Sequence, residues 1–432
     1  MRIIASHTLM KSWVAALLAM LLAGTAGTPD ALCGGFQLTE HSARGTGMGG
    51  ALVAATGDPT SVHLNPAALG FLTGTHFSLG TTVVIPEQRF NGVSPGNTES
   101  RMQAQVLFPP NVYLTHTFGH SWGLGIALHI PYAVKTEWNQ DWVGSRLVTK
   151  SDLRIAMVTP SIGLRLSDDL SVGIGVDLTI PKILFEQRIP VSVPGVPTTF
   201  PDAYSTHEAS GSMRAGILIG ALFKPSESWS FGASYRSRIT AALDDGRVSF
   251  RDVPAAIIAQ YADGEFSTAL TVPSQFHAGA GWQPFRWLYG SADIEYTLWS
   301  EFTTMEITYS NPYRAPRSID EHWSNTLNMR FGVEVSLENI ALRGGYRIER
   351  SPIPDRTLSP GLPDADATGF SVGLGYRAGE RLLLDFAFAM IRFQDRTVNG
   401  SNQQYDGSEG GFNGLYTSRS SSIAINVLYS WQ

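Results

Sequence analysis

Apolar and polar residues alternate with a period of two along most of the chain beyond its first 74 residues. From Trp122 to Tyr132, Trp, Leu, Ile, Leu, Ile and Tyr alternate with Gly, Gly, Ala, His and Pro. The same alternation recurs over 170–180, 327–337 and 370–377. Because successive side chains of a strand point to opposite faces, each segment is predicted to be a β-strand with one apolar face. The fold class is therefore predicted to be all-β.

A soluble β-sandwich and a transmembrane barrel can both produce this alternation. Strands of roughly ten residues or more are long for a sandwich but suit a tilted crossing of the bilayer, and short turns alternate with long loops. Aromatic residues lie at strand ends, as in the girdles of outer-membrane barrels. They are Trp122, Tyr132, Trp229, Tyr235, Trp287, Tyr296, Tyr429 and Trp431. Residues 75–432 are predicted to form a transmembrane antiparallel β-barrel of about 14 strands.

The composition agrees with a barrel. Glycine contributes 44 residues and aromatic residues make up 10% of the chain, while charged residues make up only 16%. That charged fraction is well below the level usual for soluble domains, so the surface is suited to apolar surroundings. The net charge of −6 argues against nucleic acid as the main partner, because no basic stripe is available to neutralise phosphates.

The first 33 residues have the pattern of a secretory signal peptide. Arg2 and Lys11 supply positive charge, and the apolar run Trp13 to Ala23 is too short to span a membrane. Residues 31–33, Ala-Leu-Cys, place small residues where a signal peptidase reads them, so cleavage is expected after Cys33. Lipid attachment at Cys33 is the alternative. Cleavage would leave a mature chain without cysteine.

Residues 34–74 do not alternate and are rich in Gly, Ala, Ser and Thr. Because the interior of a barrel of this size is too wide for side chains alone to fill, this segment is predicted to be an N-terminal hatch inside the barrel. The motif Asn65-Pro66-Ala67 is expected to begin a short helix, with Asn65 as its N-cap. A helical water channel also uses Asn-Pro-Ala, but it is excluded because no apolar run of about 18 residues follows the signal.

Several stretches of the sequence resemble the FadL family of outer-membrane transporters for long-chain fatty acids and other hydrophobic compounds. The most specific are SARGTGMGGALVAATGD followed by NPAAL in the hatch, and the loop SPIPDRTLSPGLPDAD over 351–366. GFQL at 35–38, PYAVKTEW at 131–138 and YTLWSEF at 296–302 are similar as well. The resemblance therefore covers nearly the whole mature chain.

The resemblance implies a monomeric barrel of about 14 strands in the outer membrane of a Gram-negative bacterium. Hydrophobic molecules would diffuse inward without an energy source. In this family the ligand meets an apolar groove between the outer loops, moves to a pocket near the start of the hatch, and leaves sideways beside a kinked third strand. Phe36 is expected to reach into that pocket. No cofactor is implied, and the ten histidines form no recognisable metal-ligand motif.

Two outer-loop segments, 189–200 and 253–261, are too apolar for ordinary solvated loops. Facing each other, they would form a groove for an alkyl chain. The alternative is that they bury against each other and merely close the barrel. The candidate ligand contacts in these loops are Pro194, Phe200, Ile257, Ile258 and Tyr261.

The third predicted strand contains a proline, Pro131, which has no amide proton for strand pairing. Proline inside a paired strand is expected only at edges or bulges, so a lateral opening is predicted in the wall at His129, Ile130, Pro131 and Tyr132. The alternative is that this strand ends at Ile130 on the outer rim. The hatch motif is expected to pack beside the opening.

The carboxylate of a fatty acid would favour a cationic partner. Arg188, near the outer end of the fifth strand, is the first candidate and Lys182 the second. Basic residues at such a rim alternatively bind lipopolysaccharide or are simply solvated.

Two other functions are compatible with a barrel. A porin for polar solutes would have hydrophilic outer loops, and its hatch segment would be displaced or absent. An enzyme barrel would use a histidine such as His129 or His277, but no Ser or Asp constellation accompanies either residue. The chain is predicted not to be an enzyme but a transporter of hydrophobic molecules, in contact with membrane lipid and lipopolysaccharide.

Overall fold

Fourteen antiparallel strands close into a barrel in the computed structural model, which describes residues 34–93, 98–196, 200–403 and 411–431. The first strand pairs with the last from Thr75 opposite Trp431 to Gly92 opposite Gly414, and this pairing closes the wall. The predicted transmembrane barrel is thereby confirmed. Residues 1–33, expected to be a signal peptide, lie outside the described residues.

Several strands are interrupted at their outer ends and so consist of two parts. In chain order the fourteen strands are β1 (Thr75–Gly92), β2 (Pro110–Phe118), β3 (Trp122–Glu137), β4 (Lys150–Arg165), β5 (Leu170–Ile189), β6 (Ala203–Ser210 and Arg214–Ser226), β7 (Trp229–Arg236 and Ile239–Arg251), β8 (Gly264–Val272 and Gln275–Phe285), β9 (Leu288–Thr297 and Thr304–Tyr309), β10 (Arg317–Asp320 and Thr326–Leu337), β11 (Ile340–Glu349), β12 (Ala367–Ala378), β13 (Leu382–Phe393) and β14 (Gly414–Trp431). Short strands at Glu99–Arg101 and Arg396–Val398 extend the sheet at the outer end of the barrel.

The apolar face of the alternating pattern points outward. On β3 the side chains of Trp122, Leu124, Ile126 and Leu128 are between 36% and 43% exposed, while Ala127 between them is buried. The outer surface thus offers apolar side chains to lipid, and the polar and small residues face the interior. Among the helices within the described ranges, none is long and apolar enough to cross a membrane.

The interior is occupied by the N-terminal segment, residues 34–74. It contains one α-helix, α1 (Ala43–Gly47), and two 3₁₀ helices, Pro59–His63 and Pro66–Phe71. Hydrogen bonds tie its backbone to the wall: the Val53 amide donates to Asp293 over 2.8 Å, and the Ser291 hydroxyl donates to the Ala51 carbonyl over 2.7 Å.

Glycines on the inward faces of the strands let the N-terminal segment approach the wall closely. A Cβ at Gly220 of β6 would lie 2.1 Å from Oδ1 of Asn65, and one at Gly173 of β5 would lie 2.4 Å from the carbonyl carbon of Pro66. Both distances are shorter than any ordinary contact. The glycines that alternate with apolar residues in the sequence therefore provide the space in which this segment sits.

Candidate functional site

The wall is irregular at β3. Its pairing with β2 runs from Phe118 opposite Trp122 to Val112 opposite Leu128, where it ends. On the other side, the register with β4 shifts between His129 and Tyr132, so two residues of β3, Ile130 and Pro131, stand opposite one residue of β4. This arrangement is a β-bulge, which is where a strand accommodates proline.

The start of the N-terminal segment covers the edge of β3 that β2 leaves. Gln37 forms a bridge with Tyr132, the Leu38 amide donates to the Pro131 carbonyl over 2.8 Å, and the Ala133 amide donates to the Phe36 carbonyl over 2.9 Å. Residues 36–38 thus act as a short added strand beside the bulge. The bulge and this covered edge contain the four residues at which the sequence predicts a lateral opening, namely His129, Ile130, Pro131 and Tyr132.

The bulge also reverses the direction of Tyr132. The sequence predicts this residue in the outer aromatic girdle, but its side chain is fully buried inside the barrel. The physical reason is that one extra residue in a strand moves the following side chains to the opposite face. Inside, Tyr132 contacts Phe36, with ring centroids 5.6 Å apart.

Phe36 lies in a cage of aromatic rings at the start of the N-terminal segment. Its ring centroid is 5.1 Å from that of Trp299, 5.9 Å from that of Phe302 and 5.7 Å from that of Trp323. Only 1% of Phe36 is exposed. The side chain therefore fills an apolar space directly beside the β3 edge.

A largely apolar cavity, here called the outer cavity, opens between the outer ends of β4 to β10. It encloses about 760 Å³, a volume that includes open space at its mouth. Its lining residues are Ser151, Asp152, Leu153, Ile183, Leu184, Phe185, His207, Leu243, Phe266, Thr268, Leu270, Met305, Ile307, Tyr309, Arg317 and Ile319.

The outer cavity and the Phe36 cage belong to one continuous cluster of apolar side chains. The cluster includes Leu243, Phe266 and Leu270 from the cavity, and Phe36 and Tyr132 from the β3 edge. An apolar connection therefore runs through the interior from the outer end of the barrel to the bulge.

The two apolar loop segments pack against each other. Ile257, 4% exposed, forms a cluster with Val191 and Ala203, and Phe200 and Tyr261 pack on it. The second segment, 253–261, contains a short 3₁₀ helix, Ala255–Ile257. Pro194 is exposed, and Ile258 is 58% exposed.

The two candidate cations at the rim have acidic neighbours. Nζ of Lys182 lies 2.9 Å from Oε1 of Glu208, with both side chains more than half exposed. Nε of Arg188 lies 3.6 Å from Oδ2 of Asp202, which Arg146 also contacts at 2.7 Å. Neither cation lines the outer cavity.

Asn65 is the N-cap of the 3₁₀ helix Pro66–Phe71, and its Oδ1 accepts a hydrogen bond from the Ala67 amide at 3.1 Å. Its Nδ2 donates to the Ala221 carbonyl of β6 over 3.0 Å. The motif lies against β5 and β6, whereas the residues beside Pro131 are Gln37 and Leu38. The structure therefore does not bring the motif and the bulge into direct contact.

Ionic groups inside the barrel were not predicted from the sequence. Arg44 of α1 contacts Asp58 and Glu334, each at 2.9 Å, and Arg343 contacts Glu334 at 2.6 Å and Asp385 at 2.5 Å. Charged residues at the inward positions of the alternating strands could have indicated these ionic groups. Within the described ranges, no group of three or more His, Cys, Asp or Glu side chains is arranged to hold a metal ion.

A second ionic group surrounds Glu295 of β9. Its carboxylate lies 3.0 Å from Nη1 of Arg330 and 3.0 Å from Nε2 of His277, and it also accepts from Gln37. His129 lies in a separate group with His41 and His63. These two histidines thus have structural neighbours in the interior.

The chain is similar over most of its length to known outer-membrane proteins. A sequence model of the family described as "Outer membrane protein transport protein (OMPP1/FadL/TodX)" matches residues 24–431. Outer membrane protein P1 of Haemophilus influenzae is 24% identical over 424 residues, covering 89% of this chain and 91% of that protein. The long-chain fatty acid transport protein of Escherichia coli K12 is 21% identical over 417 residues, covering 87% and 91%.

Solved structures of similar fold include a FadL homologue of Pseudomonas aeruginosa, with a TM-score of 0.81 and 19% identity over 92% of this chain and all of that chain. The toluene transporter TbuX of Ralstonia pickettii has a TM-score of 0.71 and 18% identity, again over 92% of this chain and all of the other.

Proposed function

Since the chain belongs to the OMPP1/FadL/TodX family of outer membrane transport proteins, and is a transporter of the Gram-negative outer membrane rather than an enzyme, we propose a route by which hydrophobic molecules cross it. The molecule enters the outer cavity, follows the apolar cluster to the Phe36 cage, and leaves sideways into the membrane at the β3 bulge. Fatty acids and aromatic hydrocarbons, named for relatives of this chain, are the ligand classes.

The observation that carries this proposal is the continuity of the apolar cluster from the outer cavity to Tyr132 beside Pro131. A hydrophobic solute is stable in neither a polar outer leaflet nor a water-filled channel, because its apolar surface prefers to leave water. A connected apolar interior that ends at the β3 bulge keeps such a solute in contact with apolar side chains along the whole route. Passive diffusion then needs no energy source.

The N-terminal segment is proposed to be the hatch of this route. Phe36 fills the apolar space beside the bulge, and residues 36–38 cover the edge of β3. Passage therefore requires Phe36 and its neighbours to move aside. The mutual packing of the loop segments around Ile257 is proposed to close the outer end between capture events.

The protein is further proposed to act as a monomer, because each barrel already pairs its first strand with its last. The exposed ends of Lys182 and Arg188 are proposed to face lipopolysaccharide, whose phosphates suit cations at the outer rim.

Deleting Pro131 tests the lateral exit. The bulge places two residues of β3 opposite one of β4, so removing one restores a one-to-one register and regular alternation. We expect the deletion to reduce oleate uptake to the level of the empty vector, measured in Gram-negative cells that lack their own transporters of this family. Purified protein with the deletion should still bind oleate.

The matched control is Pro131→Ala, which keeps the extra residue and should retain uptake. Equal uptake by the deletion and by P131A would rule out an exit at the bulge. If the unchanged protein takes up no oleate and instead shows steady conductance of large ions in planar bilayers, it is a porin and the proposed function is wrong.

A further inference from the structure

A cluster of arginines, here called the rim cluster, lies on the outward face of the wall at the outer ends of β5, β6 and β7. It consists of Arg146, Arg188, Asp202, Tyr204 and Arg251. Arg188 of β5 and Arg251 of β7 stand opposite Tyr204 of β6, one on each side. Their Cζ atoms lie 6.0 and 5.3 Å from the centroid of the Tyr204 ring. Contact with an aromatic ring orients a guanidinium and leaves its edge to donate hydrogen bonds.

The rim cluster contains more positive than negative charge. Arg146 donates to both carboxylate oxygens of Asp202, at 2.7 and 2.8 Å, and Nε of Arg188 lies 3.6 Å from the same carboxylate. Arg251 is exposed, and among the residues that the structure describes no carboxylate lies within ion-pair distance of it. Three guanidiniums thus lie beside one carboxylate, so the cluster can accept an external anion.

The height of the rim cluster above the membrane indicates which anion reaches it. Tyr204 points away from the interior, because its neighbours on β6, Ala203 and Ser205, are buried. On β5, Ile180 is the last large apolar side chain that is exposed on the outer surface. Arg188 follows it by eight residues, roughly 26 Å along the strand, which at a strand tilt of about 40° is roughly 20 Å above the edge of the apolar band. The phosphates of lipid A lie at the edge of the acyl chains, whereas the core sugars of lipopolysaccharide and their phosphates extend further outward.

We propose that the rim cluster binds a phosphate group on the core sugars of lipopolysaccharide in the outer leaflet. Arg188 and Arg251 donate charge-assisted hydrogen bonds to the phosphate oxygens from the two sides of Tyr204, whose hydroxyl is a further donor. The inference deepens the proposed contact between rim cations and lipopolysaccharide, because it names the group that is bound and adds Arg251 to the residues that bind it.

Two lipopolysaccharides with the same lipid A and the same core sugars test the inference, of which only one carries phosphate on the core. Each is titrated into the purified full-length barrel in detergent. We expect the form with core phosphate to bind at least about 10-fold more tightly, a difference of the size expected for charge-assisted hydrogen bonds. Arg251→Gln should weaken that form about 10-fold and leave the other form unchanged, and Arg188→Gln should act in the same direction.

Arg350→Gln is the matched control, because Arg350 is also an exposed guanidinium near the outer rim, beside Asp366 at the ends of β11 and β12. It should leave both affinities unchanged. Folding of each variant is checked by the heat-dependent shift of the barrel on gels.

Equal affinity for the two lipopolysaccharides overturns the inference. So does unchanged binding in R251Q, a loss in R251Q that extends to the form without core phosphate, or an equal loss in R350Q. Because the titration contains no transported ligand, each of these outcomes leaves the proposed uptake of hydrophobic molecules intact. Conversely, a failure of oleate uptake by the unchanged protein leaves the rim cluster untouched.

Discussion

At the scale of single residues, Glu321 couples a titration to the Phe36 cage. It lies in the loop between the two parts of β10, outside the membrane-spanning wall, and its Oε2 accepts a hydrogen bond from Nε1 of Trp323 at 2.9 Å. Burial raises its pKa from 4.5 to about 7, although the Trp323 hydrogen bond opposes part of that rise. Trp323 in turn packs against Phe36.

Because the pKa of Glu321 is higher in the folded protein than in the unfolded chain, its protonated form stabilises the cage. That contribution is complete below pH 4.5 and is lost as the pH rises through 7. We expect the tryptophan emission of the protein to change with a midpoint near pH 7. Glu321→Gln, which stays neutral, should abolish this transition, whereas Glu380→Gln in an exposed turn should not. An identical transition in E321Q would show that another group titrates.

Asn65 shows which contacts of a single residue can be predicted from the sequence pattern and which cannot. Its place before a proline predicts an N-cap, and the amide oxygen does cap the helix Pro66–Phe71. Its amide nitrogen also donates to Val53 and to Ala221, the latter 156 positions away along the chain. A cap is a local property and can be read from neighbouring residue types, but a contact across the barrel depends on how the wall closes.

At the scale of secondary-structure elements, β3 is the informative strand. Its alternation predicts both the strand and the outward apolar face, and its proline predicts an irregularity. The inward direction of Tyr132 could not be predicted, because the pattern does not show that the bulge has two residues opposite one on β4. The partner that covers the β3 edge, residues 36–38, comes from a segment without alternation and gave no strand signal.

A disulfide between Gln37→Cys and Tyr132→Cys tests whether this edge must open. The two residues face each other as a non-hydrogen-bonded pair, whose Cα separation of about 4.5 Å suits a disulfide. We expect oleate uptake by the oxidised double variant to fall at least about 10-fold, because Phe36 can no longer leave the edge, and to recover on reduction. Each single cysteine variant should respond to neither treatment. Full uptake by fully cross-linked protein would mean that ligand does not pass between residues 36–38 and β3.

At the scale of the whole molecule, the interior is held by charges that closure of the barrel brings together. Arg44 comes from the N-terminal segment, and its partner Glu334 comes from β10, 290 positions away. Glu334 also contacts Arg343 of β11, which extends the group to Asp385 of β13. The sequence predicts that these charges face inward, yet which of them pair follows only from the order and tilt of the strands and from the path of the N-terminal segment.

Replacing Arg44 by Met tests whether this ionic group keeps the N-terminal segment in place. The change keeps most of the side-chain volume but leaves the buried carboxylate of Asp58 without its cation. Removing one partner of a buried pair costs about 3 kcal/mol or more, which corresponds to a rise on the order of 100-fold in the population with a displaced segment. We expect R44M to show frequent ion-conducting openings in planar bilayers, where the unchanged protein is nearly silent. Arg165→Met is the matched control, because Arg165 also contacts the segment, at the Phe71 ring, but its ion pair with Asp168 is exposed. If R44M conducts no more than R165M, then the close packing at the inward glycines, rather than the ionic group, keeps the segment inside the barrel.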